Sequence, residues 1–407
     1  MTRRAKAVDN GIACGLFAGV GGLELGLHAA GFHTDLLCEI EPAAKAVLSA
    51  NFPTAVLEND VVGLDRLPDA EVIAAGFPCQ DLSMAGNKVG ISGSRSGLVA
   101  RLFDFLRQAC ERGRPPRWLV IENVPYMLHL DRGRAMREMV HELEGLGFRW
   151  AYRIIDARGF GVPQRRRRVV LVASPTEDPR TVLFAGNHEE TVDDSTSIVD
   201  RSIAYGFYWT EGKRGLGWGV DAVPTIKGGS TIGIPSPPAI WIPMTGEVGT
   251  PDIRDLERLQ GFPEDWTAAA ETVLGRAGRN SRWKLIGNAV NVEVAKWVAE
   301  RLVACDGPAL EGRLMRASER WPDAAWGEPG SPPRVVCLSA WPVAADRIPL
   351  RAFLRHPLKP LSRRAATGYL ARTAQATALN FTPGFLEAMS MHERRMIALD
   401  ADLREAA

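Results

Sequence analysis

The chain has 407 residues, of which 46% are hydrophobic and 24% are charged, a composition that fits one large and one smaller globular domain and excludes a disordered chain. It contains no apolar run of the roughly 18 residues that a membrane span needs and no secretory signal, so we expect a cytoplasmic protein without membrane association. The net charge of +1 neither predicts nor excludes nucleic-acid binding, because such binding requires only a local basic surface.

From Gly11 to about Ser174, short apolar runs alternate with segments of helical periodicity. The predicted strands are IACGLFAG, AEVIAAGFP, RWLVIENV, AYRIIDARGF and RRVVLVAS. The predicted helices are GGLELGLHAAGF, EPAAKAVLSANF, LVARLFDFLRQACERG and RAMREMVHELEGLGF. This order predicts an α/β fold with a doubly wound, Rossmann-like, mostly parallel sheet.

The composition changes after Ser174, where polar, Gly-, Pro- and Trp-rich sequence predicts a smaller irregular unit. Helical sequence resumes at PDIRDLERLQGFPEDW and GNAVNVEVAKWVAERLVA, which we expect to return to the first domain. The resulting boundaries define four segments: 1–175, 176–248, 249–305 and a C-terminal extension at 306–407.

A glycine-rich turn follows the first predicted strand, with Gly19, Gly21 and Gly22 in LFAGVGGLELGL. Missing Cβ atoms let the backbone approach a ligand there, although a tight turn without a ligand explains such glycines equally well. Glu39 lies about 20 residues further on, where a carboxylate can bind a ribose diol. Asp60 adds an acceptor for an adenine amino group. This spacing indicates a nucleoside cofactor.

Cys79 directly follows the strand AEVIAAGF, so we expect it at the same edge of the sheet as the glycine turn. A free cysteine is more often a small buried hydrophobe, which is our interpretation of Cys38 and Cys110. The proline before Cys79 and the polar loop after it favour an accessible, reactive thiol. The six cysteines contain no CxxC pair, so we expect reduced thiols and no metal site.

Glu122 and Asn123 end the strand of VIENV and would face the same edge. An ordinary surface glutamate is the alternative. A cysteine and a glutamate on neighbouring strand ends suggest covalent attack on an electrophile that the acid polarises. In the following QRRRR run, Arg166 and Arg168 should share one face of the chain, unless the run is simply solvated.

In this order, the motifs FAGVGG, EIE, GFPCQDLS, ENV, PQRRRR, RLQGFP and IGNAV resemble those of the DNA (cytosine-5) methyltransferases, over about Gly11 to Cys305. The resemblance implies a class I methyltransferase fold with a target recognition domain, S-adenosylmethionine as cofactor and duplex DNA as substrate. Cys79 would attack C6 of a flipped-out cytosine while Glu122 holds the N3 and N4 edge. The activated C5 would then take the methyl group.

The resemblance also assigns site residues. The catalytic set is Cys79, Glu122, Arg166 and Arg168. The cofactor set is Phe17, Gly19, Gly21, Gly22, Glu39, Ile40, Asp60, Val61, Pro78, Leu98, Asn288 and Ala289. The substrate and DNA set is Gln80, Ser83, Asn123, Val124, Gln164 and Thr225. Three positions depart from the family pattern: Gly15 replaces an aspartate, Asp255 a glutamate and Asn291 a proline or serine.

The irregular unit would carry target recognition, with Arg214, Thr225 and Lys227 on turn-rich loops suited to a DNA groove and its tryptophans in a core. The C-terminal run RRAATGYLAR predicts a basic helix that contacts phosphates or packs on the catalytic domain. We expect that removal of the residues after about Trp321 weakens DNA binding or stability without altering the methylated sequence.

We expect a monomer that acts on double-stranded DNA, with a cognate restriction endonuclease or other defence proteins as further partners. Two alternatives stay open at this point. One is a tRNA cytosine-5 methyltransferase, because a branch of the family modifies RNA with the same motifs. The other is a catalytically inactive DNA-binding regulator, against which the intact Cys79, Glu122 and Arg168 argue.

Overall fold

The computed structural model describes residues 9–77, 97–191, 199–213, 215–229, 236–376, 379 and 381–405. In chain order the strands are β1 (Ile12–Leu16), β2 (His33–Cys38), β3 (Val56–Glu58), β4 (Val72–Ala75), β5 (Trp118–Asn123), β6 (Arg149–Asp156), β7 (Arg167–Ser174), β8 (Tyr205–Phe207), β9 (Gly219–Val220), β10 (Ala239–Ile242), β11 (Glu247–Thr250), β12 (Arg313–Leu314), β13 (Ala324–Gly327), β14 (Arg334–Val335) and β15 (Lys359–Pro360). The helices are α1 (Gly22–Ala29), α2 (Pro42–Asn51), α3 (Gly97–Glu111), α4 (Arg134–Gly145), α5 (Arg180–Leu183), α6 (Ile253–Leu259), α7 (Ala268–Asn288), α8 (Val292–Ala304), α9 (Leu350–Phe353), α10 (Arg363–Thr373) and α11 (Phe385–Glu405).

The chain divides into two compact units, each made of three segments. The first comprises Met1–Gly159, Arg167–Glu190 and Ala289–Ala344. The second comprises Phe160–Arg166, Thr191–Asn288 and Ala345–Ala407.

The first unit is built on a mixed ten-stranded sheet with the order β12-β14-β13-β6-β7-β5-β4-β1-β2-β3. The strands from β5 to β3 are parallel neighbours, and the pairs from β5–β7 to β12–β14 are antiparallel. The predicted doubly wound α/β class is confirmed. Because the strand order reverses between β4 and β1, a ligand crevice is expected at the carboxyl ends of these strands.

Burial explains why these segments become a central sheet. Every residue of β4 and β5 is buried, as the continuous apolar runs of a covered parallel sheet require. Helix α3 buries Val99, Leu102, Phe103 and Leu106, which lie on one helical face. Helices α1 and α8 pack closely, because a Cβ on Gly26 would lie 2.6 Å from the backbone of Ala295.

The second unit contains the antiparallel sheet β15-β11-β10-β8-β9. Its core combines strand residues with residues of α10, α11 and the chain before them: Tyr205, Phe207, Ala239, Trp241, Val248, Leu361, Ala366, Tyr369, Phe385 and Met389. Trp209 and Trp218 are partly buried against this core. The tryptophans therefore belong to the core, as predicted.

The units do not follow the boundaries expected from the sequence. Residues 249–288 belong to the second unit, and β12, β13 and β14 of the expected extension belong to the large sheet of the first. Helix α10 contributes Ala366 and Tyr369 to the core of the second unit, a role that differs from the expected phosphate contact or packing on the catalytic domain. Nowhere in the described part of the chain is a helix both long and apolar enough to cross a membrane.

Candidate active site

The turn between β1 and α1 has the backbone conformation that its glycines permit. Phe17, Gly19 and Gly21 have φ values of 56°, 58° and 82°. A Cβ on Gly21 would lie 2.3 Å from the Phe52 ring, whereas a Cβ on Gly19 would meet no atom within 4 Å. The turn is therefore packed at Gly21 and open at Gly19, so the backbone at Gly19 can be approached by a ligand.

Glu39 is fixed beside this turn at the carboxyl end of β2. Its Oε2 accepts a hydrogen bond from the Gly19 N–H (2.8 Å), and its Oε1 accepts one from the Glu41 N–H (2.8 Å). Burial raises the pKa of Glu39, and the hydrogen bonds that its carboxylate accepts from backbone N–H groups partly oppose this rise. The two bonds hold the carboxylate at the edge of the sheet where the predicted cofactor site lies.

The neighbouring cofactor candidates follow the same edge. Ile40 exposes 69% of its surface. Asp60, after β3, accepts from the Val62 N–H (2.9 Å) and begins the 3-10 turn that buries Val61. Fixed acids after two adjacent strands, an exposed apolar side chain and an open glycine turn fit the ribose and adenine of S-adenosylmethionine.

The remaining cofactor candidates lie in helices or beside them. Gly22 is the first residue of α1, and Leu98 is half-buried in the first turn of α3. Ala289 is buried in the first unit, whereas Asn288 ends α7 in the second. Asn291, which departs from the family pattern, caps α8 by accepting from the Glu293 N–H (3.1 Å) and the Val294 N–H (3.3 Å).

The structure adds Glu24, which the sequence analysis did not select. A Cβ on Gly15 would lie 2.1 Å from Oε1 of Glu24, so the Glu24 carboxyl occupies the space beside the position where the family has an aspartate. Glu24 is 1% exposed. Burial, together with the negative charge of Glu39, raises the pKa of Glu24 to about 7. In the sequence, Glu24 is the one charged residue in the apolar segment GGLELGL, and this pattern could have indicated a buried acid.

Glu122 and Arg168 form an ion pair on neighbouring strands. The Arg168 Nε lies 3.1 Å from the Glu122 Oε1, and both side chains are largely buried. Arg168 Nη1 also donates to the Arg167 carbonyl oxygen (2.8 Å). Because β5 and β7 pair antiparallel with Glu122 opposite Val170, the strand register itself brings the acid and the guanidinium together.

Asn123 ties the end of β5 to the chain beyond β4. Its Nδ2 donates to the Phe77 carbonyl oxygen (2.9 Å), and its Oδ1 accepts from the Val124 N–H (2.8 Å). The Phe77 ring packs edge-on against Phe17, with 6.1 Å between centroids. The segment that leads to the predicted nucleophile is therefore anchored beside Glu122. Four predicted site residues lie outside the described residues: Pro78, Cys79, Gln80 and Ser83.

Gln164 and Arg166, which belong to the second unit, donate hydrogen bonds to backbone carbonyl oxygens. Gln164 Nε2 donates to the carbonyl oxygen of Leu259 (2.8 Å), and Arg166 Nη1 donates to those of Ile226 and Gly287 (both 3.4 Å). Both side chains are buried. Thr225 Oγ1 donates to the Arg165 carbonyl oxygen (2.7 Å). The PQRRRR motif thus connects the loop at 225–228 with the RLQGFP and IGNAV motifs.

No group of three or more His, Cys, Asp or Glu residues that could hold a metal ion occurs in the part of the chain that the structure describes.

Comparison with known proteins identifies the family of this chain. The sequence model for C-5 cytosine-specific DNA methylases matches residues 13–203 and 252–304. The Type II methyltransferase M2.BsuMI of Bacillus subtilis is 50% identical over 94% of this chain and 98% of its own length. M.DsaV of Dactylococcopsis salina is 27% identical over 71% of this chain and 85% of its own length.

Among solved structures, the S. pombe Dnmt2 methyltransferase superposes with a TM-score of 0.54 at 18% identity, covering 72% of this chain and 98% of that one. This likeness supports the fold. The family match and the identity to M2.BsuMI go further: the chain belongs to the C-5 cytosine-specific DNA methylase family.

Proposed function

We propose that this protein is a DNA (cytosine-5-)-methyltransferase that modifies a cytosine in a specific duplex sequence through a covalent adduct at Cys79. The observation that carries the proposal is the Glu122–Arg168 ion pair at 3.1 Å, next to the Asn123 bond that anchors Phe77 (2.9 Å). Cys79 is the second residue after Phe77. An acid, its cationic partner and the anchored start of the nucleophile motif thus share one edge of the sheet.

S-adenosylmethionine supplies the methyl group as an electrophile. Glu39 and Asp60 would hold its ribose and adenine, and the open backbone at Gly19 would receive its amino acid part. Glu39 and Asp60 follow β2 and β3, on the β1 side of the point at which the strand order reverses, and this position supports a cofactor site at the carboxyl edge of the sheet.

The cytosine would be flipped out of the duplex, because C5 and C6 cannot be attacked within the base stack. The Cys79 thiolate forms a bond to C6, and Glu122 supports the ring by a proton at N3 and a hydrogen bond to N4. C5 would then form a bond to the methyl carbon of S-adenosylmethionine, while the bond from that carbon to sulfur breaks and S-adenosylhomocysteine leaves with the electron pair. Loss of the C5 proton returns the electron pair to the ring and expels the thiolate. Arg168 would keep the Glu122 carboxyl oriented toward the base during these steps.

Arg166, Gln164 and Thr225 would serve target binding indirectly. Gln164 and Arg166 hold the backbone at 226, 259 and 287, and Thr225 holds it at 165, so we assign all three a positioning role. The second unit would carry target recognition. The Type II names of the relatives support a cognate restriction endonuclease as a functional partner, and we propose that the enzyme acts as a monomer.

The test begins with bisulfite sequencing of a plasmid expressed with the protein, which identifies the methylated sequence. A duplex oligonucleotide with 5-fluorocytosine at that position should trap the wild type covalently, because fluorine blocks loss of the group at C5. Cys79→Ser should form no adduct and transfer no methyl group. The matched control is Cys110→Ser, on helix α3, which should retain both.

Two results would contradict the proposal. Methylation of C5 by the wild type without a trappable adduct would exclude the covalent mechanism. Labelled methyl transfer to tRNA with none to duplex DNA would exclude the DNA substrate.

A further inference from the structure

We propose that the C-terminal segment from Ala345 onward is an integral half of the target recognition unit, and that Arg372 on α10 positions the loop at 209–213 that reads the DNA. The inference rests on the proposed function, because it assigns target recognition to the second unit. It differs from the expectation that the C-terminal segment leaves the target sequence unaffected.

Part of the second unit lies outside the family match. That match omits residues 204–251 and everything after 304. Four strands of the small sheet in the second unit, β8 to β11, lie within 205–250. The fifth strand, β15, and the helices α10 and α11 lie after residue 304. Two stretches outside the family match, 205–250 and the chain from Ala345 onward, are therefore folded together in the second unit.

Residues of both stretches share one hydrophobic core. The strands of the small sheet have two to four residues, and such short strands need a covering layer to be stable. The Phe207 ring packs against Tyr369 and Phe385, with centroids 5.4 and 4.9 Å apart. Strand β15 continues the sheet beside β11. The C-terminal segment thus supplies both a strand and the helical layer.

Helix α10 is hydrogen-bonded directly to the loop at 209–213 through Arg372. Arg372 Nη2 donates to the Trp209 carbonyl oxygen (2.7 Å), and its Nε donates to the Glu211 carbonyl oxygen (2.9 Å). Gly212 has a φ of 116°, and a Cβ there would lie 3.1 Å from Thr373. Helix α10 therefore determines the path of the backbone from Trp209 to Gly212.

Polar and charged side chains of the loop at 209–213 line a cavity. Thr210, Glu211, Lys213, Gly215 and Arg372 line a cavity of about 410 Å³. Lys227 pairs with Glu211 and lies over the Tyr208 ring, 3.7 Å from its centroid. Hydroxyl, carboxylate and ammonium groups around a concave surface suit base edges together with phosphates. Duplex DNA is therefore the partner that fits this loop.

The decisive variant is Arg372→Ala, compared with Arg394→Ala, which removes an exposed arginine from α11. Each protein methylates a randomised DNA library, and deep sequencing after bisulfite treatment gives the ratio of methylation at the wild-type site to that at sites with one changed base. For Arg372→Ala we expect this ratio to fall about tenfold or more, since one base pair is typically discriminated by about 1–3 kcal/mol. Arg394→Ala should keep the wild-type ratio. An unchanged ratio in folded Arg372→Ala, even with a lower rate, would overturn the inference.

A second pair of variants covers the case in which Arg372→Ala fails to fold. Thr210→Ala and Lys213→Ala change cavity side chains outside the hydrophobic core. At least one should alter the preferred sequence or weaken DNA binding, and wild-type behaviour in both would refute the inference. A wild type that methylates no DNA would instead refute the proposed function, so the two failures are distinguishable.

Discussion

The Glu122 carboxylate and the Arg168 guanidinium face each other across two hydrogen-bonded strands, with Oε1 and Nε 3.1 Å apart. The pairing comes from the sheet itself and not from a loop, so the geometry is rigid before any substrate binds. A preorganised charged pair loses little free energy to reorganisation during the reaction. Because the two side chains are in contact, substitution of either one should affect the other.

Glu122→Gln keeps the shape of the side chain but removes the acid. Because the amide cannot supply the same proton to the cytosine ring, we expect single-turnover methyl transfer to fall roughly 100- to 10,000-fold. Rapid-quench measurement with a labelled methyl group checks this at saturating DNA. A wild-type rate would assign the acid role to another residue.

Arg168→Ala should slow methyl transfer roughly 100-fold, since the buried Glu122 carboxylate loses the guanidinium that orients it. The neighbouring Arg167 pairs with Asp323 at the surface, with the two side chains 40% and 60% exposed. Exposed pairs contribute little, so Arg167→Ala is the matched control and should retain nearly full activity. Equal losses in both variants would exclude a specific role for Arg168.

β1, β4 and β5 could be predicted from sequence because each contains a continuous apolar run, as in AEVIAAGF and RWLVIENV. β2 (HTDLLC) and β3 (VLE) contain no such run and are absent from the predicted strands. The direction of β7 could not be read from such a run, because a strand buried on both faces has the same pattern in either direction. The short connection between β6 and β7 was the available signal, since parallel strands need a crossover of a dozen or more residues. Strands of two residues such as β12 and β14 are too short to show any period.

The positions of Glu39 and Glu122 at the carboxyl ends of β2 and β5 could be predicted, because each follows an apolar run in the sequence. Glu24 was missed because its importance depends on the space left by Gly15, nine residues away. The structural role of Gln164 and Arg166 was also hidden, since both side chains bind backbone carbonyl groups far away in the chain. Long-range contacts of this kind leave no local pattern.

Glu24 should make stability depend on pH in a predictable direction. Its pKa rises from an ordinary value of 4.5 to about 7 in the folded protein, so the folded state binds more protons between these values and loses stability as the pH rises through them. Glu24→Gln cannot ionise. Between pH 5 and pH 8 the wild type should therefore lose about 2–3 kcal/mol of unfolding free energy that the variant keeps, so the difference between variant and wild type should grow by that amount. Urea unfolding of the cofactor-free proteins at a series of pH values measures the difference, and a difference independent of pH would contradict the buried carboxyl.

Gly19 and Gly21 belong to one turn, yet substitution by alanine should affect them differently. A Cβ on Gly21 would clash with Phe52 at 2.3 Å in a left-handed backbone, so Gly21→Ala should lower the melting temperature. Gly19 is also left-handed, but its Cβ would enter open space, which limits the cost to about 1 kcal/mol. That space is where we place the cofactor, so Gly19→Ala should weaken binding of S-adenosylhomocysteine at least tenfold while the protein stays folded. Calorimetric titration and thermal unfolding of both variants test this together. Unchanged binding by Gly19→Ala would mean that the open side of the turn does not face the cofactor.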